Sequence, residues 1–153
     1  VNGGNNYALI IRHAYATSGQ NGVDLIFQNS GGTAVGQIDH GQSTTQYRTS
    51  SDYRLKENAT VLSNGIARLK TLKPYRFNFI AEPDRTVDGF FAHEVTAVPE
   101  AISGTKDEVD SENKPIYQGI DQSKLVPLLT AALQEAIAKI EVLETKVAAL
   151  EAA

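Results

Sequence analysis

The chain has 153 residues, 41% of them apolar, and a net charge of −4, which fits one modest domain or one domain with part of another. The acidic balance argues against nucleic-acid binding and against attraction to anionic lipid, and the absence of cysteine excludes disulfides and a cysteine nucleophile. No apolar run is long enough to span a membrane, and no signal peptide opens the chain. Because the chain begins with Val1 rather than Met, we expect a piece of a longer protein.

The first fifty residues predict short strands separated by turns rich in Gly, Asn and Ser. The predicted strands cover residues 7–12, 23–28, 34–38 and 44–47. So few strands enclose little core, and we expect them to pair with other copies of the chain. His13 and His40 lack further ligands at metal-binding spacing, so we interpret both as structural polar residues and predict no metal site.

A charged stretch, Ser51–Asn58, follows this strand-rich region. Serine is a weak nucleophile unless a base lies beside it, and a lysine is a base only when neutral, which burial or nearby positive charge favours. Arg54 would supply positive charge and Glu57 would oppose it. The residues alone leave two interpretations open. Either a turn or a neighbouring subunit brings Ser51 and Lys56 together, or Ser51 caps a helix in an exposed charged turn.

The middle of the chain predicts a small mixed α/β segment. A short amphipathic helix at 64–72 should end before Pro74, because the residue preceding proline avoids the helical region. The elements expected after it are a strand at 75–79, a turn at 82–85, a strand at 87–91, a short helix at 92–98, a solvated loop at 106–114 and a strand at 115–120.

Three features of this segment suggest chemistry but have simpler explanations. The aromatic alternation at 75–79 could bind a sugar or a base, yet aromatic side chains more often build small cores. His93 and Glu94 lack the second histidine of a zinc-protease motif, so we interpret His93 as structural. The charge run at 106–114 lacks the glycine and the terminal glutamate of a calcium loop.

The last segment, about 123–153, predicts one long helix with an apolar heptad repeat. Lys139 and Lys146 are spaced to pair with Glu144 and Glu151 of a parallel neighbouring helix. β-branched a positions with Leu at d favour a dimer in simple coiled coils, and a helix packed on its own domain is the alternative. The a positions are Val126, Leu133, Ile140 and Val147, and the d positions are Leu129, Ala136, Leu143 and Leu150.

Four motifs occur in order at Ser51–Asn58, Leu72–Asn78, Gly89–Val95 and Asp121–Leu129. Together they resemble the C-terminal intramolecular chaperone domain of bacteriophage tail spikes and tail fibres, also called the peptidase S74 domain. The resemblance covers about residues 51–153. It implies a homotrimer that cuts itself between Ser50 and Ser51 and that uses no cofactor.

The resemblance also implies roles for individual residues of the junction. Ser51 would be the nucleophile and Lys56 the base, with orienting roles for Asp52, Arg54 and Glu57. Two positions depart from the family pattern, because Arg48 and Ala59 stand where Asn and Ile are common. We expect either departure to slow the cut.

We therefore expect an α+β protein in which residues 1–50 are the end of a β-rich fibre and residues 51–153 are a trimeric chaperone. Its partners would be two further copies and its own upstream domain. The mature fibre would lie in the virion tail, and the released chaperone would stay in the host cytoplasm. The alternative function is a fibre tip that trimerises and binds the host without cutting itself.

Overall fold

The computed structural model describes residues 22–41 and 43–152, and the chain divides into two compact units, Val1–Ala59 and Thr60–Ala153. The architecture is α+β, with several small antiparallel sheets and one long C-terminal helix, which confirms the predicted fold class at that level. The Ser51–Asn58 stretch lies within the first unit. The domain boundary after residue 50 stays a prediction, and the predicted strand at 7–12 lies outside the described residues.

The first unit contains a three-stranded antiparallel sheet with the order β1-β2-β3. The turn between β1 and β2 forms because the Asn29 side chain accepts hydrogen bonds from the Gly31 and Thr33 N–H groups, each at 3.0 Å, while Gly32 adopts φ +78°. All three predicted strands in the described region are confirmed. The strands are β1 at Gly22–Gln28, β2 at Ala34–His40 and β3 at Thr45–Thr49.

Large apolar side chains of this sheet remain open to solvent in the single chain. Leu25, Phe27 and Tyr47 are all exposed. Leu25 of β1 and Tyr47 of β3 both pair with Ile38 of β2, so their side chains lie on the same face of the sheet. Three strands with such a face are too few to bury it by themselves. The sheet therefore has apolar surface available for a further layer.

The second unit is built from two short sheets and two helices. Strands β4 and β5 form an antiparallel hairpin, and β6 and β7 form a second antiparallel pair. The predicted short helix, the aromatic strand at 75–79 and the C-terminal helix are confirmed. The elements are α1 at Gly65–Leu69, β4 at Tyr75–Phe79, β5 at Glu82–Gly89, β6 at Ile102–Ser103, β7 at Gly119–Ile120 and α2 at Val126–Glu151.

Three predictions in the second unit were wrong in detail. Residues 82–85 belong to β5 and not to a turn, because the chain reverses at Ile80 and Ala81; Pro83 is tolerated in a two-stranded sheet, where both strands are edges. Residues 92–98 contain only a 3-10 turn at Ala92–Glu94, consistent with β-branched side chains that disfavour longer helix. The strand predicted at 115–120 shrinks to Gly119–Ile120.

The core of the second unit lies where the loop after β5 meets the start of α2. Its buried members are Val95, Val98, Ala101, Leu125 and Leu128. Helix α1 packs on α2 so closely that a Cβ at Gly65 would lie 2.5 Å from the Ala132 backbone nitrogen. Only glycine fits this approach, so Gly65 fixes α1 against the long helix.

Helix α2 begins in a well-capped turn. Asp121 caps the 3-10 turn Gln122–Leu125 by accepting hydrogen bonds from the Ser123 N–H at 3.0 Å and the Ser123 hydroxyl at 2.6 Å. Pro127 follows in the first turn of α2, where its missing N–H breaks no helical hydrogen bond. Among the described residues, none of the helices combines the length and the apolar character needed to cross a membrane.

Candidate functional site

The stretch that contains the predicted cut begins where the β2–β3 ladder ends. One residue beyond β3, the Ser50 N–H still donates to the Val35 carbonyl at 3.0 Å. The Ser50 hydroxyl also donates to the Ala34 carbonyl at 3.3 Å. The chain therefore leaves the sheet at the Ser50–Ser51 peptide bond, which is the bond predicted to be cut.

Ser51 and Lys56 lie in direct contact. The Lys56 Nζ is 2.8 Å from the Ser51 Oγ and donates a hydrogen bond to it. A 3-10 turn at Tyr53–Leu55 folds the chain back, and extended backbone at Lys56 then directs its side chain toward Ser51. A turn within one chain therefore brings Ser51 and Lys56 together, and this contact needs no second subunit.

Asp52 and Arg54 form a tight local pair beside it. The Asp52 carboxylate accepts two hydrogen bonds from the Arg54 guanidinium, at 2.9 and 2.7 Å, and one from the Arg54 N–H at 2.9 Å. The guanidinium bonds and then the N–H bond lower the pKa of Asp52, and the carboxylate raises the pKa of Arg54. These bonds stabilise the turn, and the orienting roles that the resemblance implies for Asp52 and Arg54 in the cut stay predictions.

These contacts revise two expectations from the sequence. The residue that caps the turn is Asp52, so the interpretation of Ser51 as the helix cap was wrong. The Arg54 charge is held by Asp52, which reduces what it can add to the electrostatics around Lys56. Glu57 makes no hydrogen bond or ion pair with other described residues, so its orienting role stays a prediction. Ser51 and Lys56 are both exposed in the single chain.

The histidines take structural positions where they are described. His40 Nδ1 contacts the Asp24 carboxylate, with 2.7 Å to Oδ2, and His93 stacks on Phe91 with ring centroids 6.1 Å apart. His13 lies outside the described residues. Within residues 22–41 and 43–152, no three His, Asp or Glu side chains are arranged to hold a metal ion.

Glu94, next to His93, is hydrogen-bonded to residues at the start of the β4–β5 hairpin. It accepts hydrogen bonds from the Tyr75 hydroxyl at 2.7 Å and from the Lys73 Nζ at 3.2 Å. The Tyr75 bond, followed by Lys73, lowers the pKa of Glu94. The Tyr75 ring of β4 also packs against Phe91 in a tilted arrangement, with ring centroids 4.7 Å apart. These contacts favour a structural role over sugar or base binding.

The heptad face of α2 is open in the single chain. Its members are distinct from the two buried residues of the helix, Leu128 and Ala132. Ala136 is half-buried, and the other seven a and d residues are 46% to 77% exposed. In the single chain the Lys139 Nζ pairs with Glu135 of its own helix at 2.8 Å, and its pairing with Glu144 of a neighbouring helix stays a prediction.

Sequence reasoning missed a buried charge in the sheet of the first unit. The Asp39 side chain is fully buried in β2, where it accepts a hydrogen bond from the Gln37 Nε2 at 2.7 Å and forms an ion pair with Arg48 of β3. The alternation along both strands could have placed these residues on one face. Nothing in the sequence signals that the aspartate is buried.

Glu135 was also missed. Its carboxylate accepts a hydrogen bond from the Ile66 N–H at 3.0 Å and thereby joins the start of α1 to α2. The Lys139 ammonium, followed by the Ile66 N–H, lowers the pKa of Glu135. In the sequence this residue looks like an ordinary solvent-facing helix glutamate.

Comparison with known families gives a match in the middle of the chain. The model of the family described as Peptidase_S74, chaperone of endosialidase, matches residues 51–103. Three of the four motifs noted in the sequence fall inside this range, and the fourth, Asp121–Leu129, lies beyond it. No curated protein matches the chain.

Proposed function

Because residues 51–103 belong to the Peptidase_S74 family, the chaperone of endosialidase, we propose that this chain ends a phage tail fibre or tail spike and carries its intramolecular chaperone. In this proposal the chaperone brings three chains together in register. It is then released by a single cut between Ser50 and Ser51. The observation that carries the proposal is the 2.8 Å contact between the Lys56 Nζ and the Ser51 Oγ.

The proposed cut is an acyl shift followed by hydrolysis. Neutral Lys56 accepts the Ser51 hydroxyl proton while the Oγ attacks the Ser50 carbonyl carbon through a five-membered ring. The Ser50–Ser51 C–N bond then breaks, and the Ser51 nitrogen takes up the proton to become a free amine. Water hydrolyses the resulting ester, which leaves a Ser50 carboxylate and restores the Ser51 hydroxyl.

The position of the bond supports this chemistry. The Ser50 N–H remains bound to Val35, so the acyl side of the bond is anchored to the sheet. Ser51 lies outside the ladder and contacts Lys56. A nucleophile held beside its target gains rate because the reacting atoms no longer need to find one another.

The open heptad face of α2 supports a trimer. Eight a and d positions spaced by three and four residues form a seam of four heptads, and the second unit packs on other residues of the helix. Ile137, also exposed, widens the apolar seam beyond that of a minimal dimer. Three parallel helices would bury this surface and hold three chain ends in register.

Assembly followed by cutting has a physical rationale. Interwound β-fibres depend on contacts distant in sequence and fold slowly. A coiled coil that forms first raises the effective concentration of the three fibre ends. Once the chaperone is removed, an unfolded fibre loses this route back, and the assembled state becomes kinetically stable. The mature part would lie in the virion tail, and the chaperone would remain in the host cytoplasm.

The test is the intact mass of the freshly folded chain, compared with Ser51→Ala and Lys56→Ala. We expect the parent to yield two fragments split at Ser50–Ser51 and both variants to stay whole. A Ser51→Thr variant should cut slowly, because it keeps a hydroxyl with a more crowded Cβ. Normal cutting by Ser51→Ala would refute the mechanism.

One observation favours the alternative function, a trimeric host-binding tip that is not cut. Ser51 and Lys56 are both exposed in the single chain, so the first unit does not enclose the pair as a buried catalytic site. Prolonged incubation separates the two functions. A parent that stays whole while sedimenting as a trimer would support the tip.

A further inference from the structure

We infer that Arg48 is a positioning residue for the proposed cut, although it precedes residues 51–103, which the family model matches. Its ion pair with the buried Asp39 holds the end of β3 on β2. This keeps Ser50 bound to Val35 and so holds the acyl side of the Ser50–Ser51 bond against β2. The inference rests on the proposed function and adds a residue that acts through the sheet.

The first step concerns the charge of Asp39. Its side chain is fully buried, and Gln37 satisfies Oδ1 at 2.7 Å. The Arg48 guanidinium pairs with Oδ2, which receives no hydrogen bond from another described residue. Removing one member of a buried ion pair leaves an uncompensated charge and is far more damaging than removing both. Arg48 therefore contributes more to this sheet than its half-exposed side chain suggests.

The second step is the register that links this pair to the cut. Gln37 lies directly opposite Arg48, and Asp39 lies two pairs away, opposite Gln46, so the side chains of all four residues share one face. The ladder continues from Arg48 through Thr49 to Ser50, which donates to Val35. An anchor at Arg48 thus lies two residues before the bond to be cut.

The third step is the close approach of the backbones at the same place. A Cβ at Gly36 would lie 3.0 Å from the Arg48 carbonyl oxygen, so glycine lets β2 and β3 come together there.

The family pattern, with Asn at position 48, suggests that Arg48→Asn should speed the cut. The Asp39 contact reverses this expectation, because Arg48→Asn would leave a buried carboxylate without its cation.

Hydrogen exchange of the Ser50 amide tests the inference without depending on cleavage. In the uncut Ser51→Ala background, we expect Arg48→Gln to speed Ser50 exchange by at least about tenfold, because the buried carboxylate loses its cation. Adding Asp39→Asn should bring the rate back to within about threefold, because both charges are then absent. Amides of the β4–β5 hairpin should not change.

Cleavage with Ser51 intact provides the second readout. Arg48→Gln should slow the cut at least about tenfold, while Asp39→Asn/Arg48→Gln and the conservative Arg48→Lys should stay within about threefold of the parent. Three outcomes would overturn the inference: unchanged Ser50 exchange in Arg48→Gln, no rescue by the double variant, or a uniform rise across β1, β2 and β3. A parent that never cuts would refute the proposed function alone, since the exchange experiment still decides the role of Arg48.

Discussion

The Lys56 Nζ lies 2.8 Å from the Ser51 Oγ across a single 3-10 turn, and Asp52 and Arg54 hold that turn in shape. Residues five positions apart do not share a helical face, and they are too close in the chain to lie on separate secondary-structure elements. The extended backbone at Lys56 is what returns its side chain to Ser51. The contact is local, so it forms as soon as the turn forms.

Lys56→Arg should abolish the cut. Arginine keeps the positive charge and the hydrogen-bond donors but cannot be deprotonated in a protein, so it cannot accept the Ser51 proton. Intact mass after incubation measures the outcome. The matched control is Lys70→Arg, a similar change at another exposed lysine, which should cut like the parent. Cutting by Lys56→Arg at the parental rate would mean that position 56 supplies only charge.

Leu143→Asp should convert the proposed trimer to a monomer, because it places a carboxylate in the apolar seam at a d position. The neighbouring Val142 provides a close control: it is 54% exposed, against 58% for Leu143, yet it occupies a c position. Sedimentation equilibrium should give a trimer for Val142→Asp and a monomer for Leu143→Asp. Equal loss of trimer in both would place the interface elsewhere on α2.

Gly65→Ala should destabilise the second unit by about 1–3 kcal/mol, as expected for overpacking. The added Cβ would lie 2.5 Å from the Ala132 nitrogen and 2.7 Å from the Ala131 carbonyl carbon, and backbone atoms cannot move aside like a side chain. Urea unfolding followed by circular dichroism measures the change. Gly31→Ala should cost less than about 0.5 kcal/mol, since the atom nearest to its Cβ would be the Asn29 side-chain oxygen, 3.4 Å away. An unchanged midpoint for Gly65→Ala would show that α1 does not depend on this approach.

Acid should weaken the link between α1 and α2. Lys139 and then the Ile66 N–H lower the pKa of Glu135 in the folded chain, so the carboxylate stabilises the fold above the pKa of an unfolded glutamate, about 4.3. That stability is lost as the pH falls through the lowered folded value. Glu135→Gln should therefore lower the melting temperature at pH 7 and differ less from the parent near pH 3.

The control for this prediction is Glu141→Gln. Glu141 is exposed on the same helix, and its carboxylate makes no hydrogen bond or ion pair with another described residue. Its melting temperature should follow that of the parent across the whole pH range. A Glu135→Gln variant with the same pH profile as the parent would contradict the assigned linkage.

Several elements could be predicted from the sequence because their signals are local. The heptad repeat from Val126 to Leu150 predicted α2, alternation predicted β1 and β4, and the Asn, Ser and Gly residues after β1 predicted the turn at Asn29. The motif at Ser51–Asn58 pointed to the family that the comparison then matched over residues 51–103. Each of these signals depends only on residues a few positions apart.

Other features were decided by tertiary structure, because they depend on which distant residues meet. The burial of Asp39 beside Arg48 arises from strand register, and the contact of Glu135 with Ile66 joins residues far apart in the chain. The reversal at Ile80 rather than at Pro83 was set by pairing of Phe79 with Glu82. The sequence by itself determined the long helix, the strands of the first sheet, β4 and the Ser51–Lys56 candidate pair, since local periodicity and motif specify them. The tertiary structure decided which charges are buried and which face of α2 is left open, since packing alone determines what water can reach.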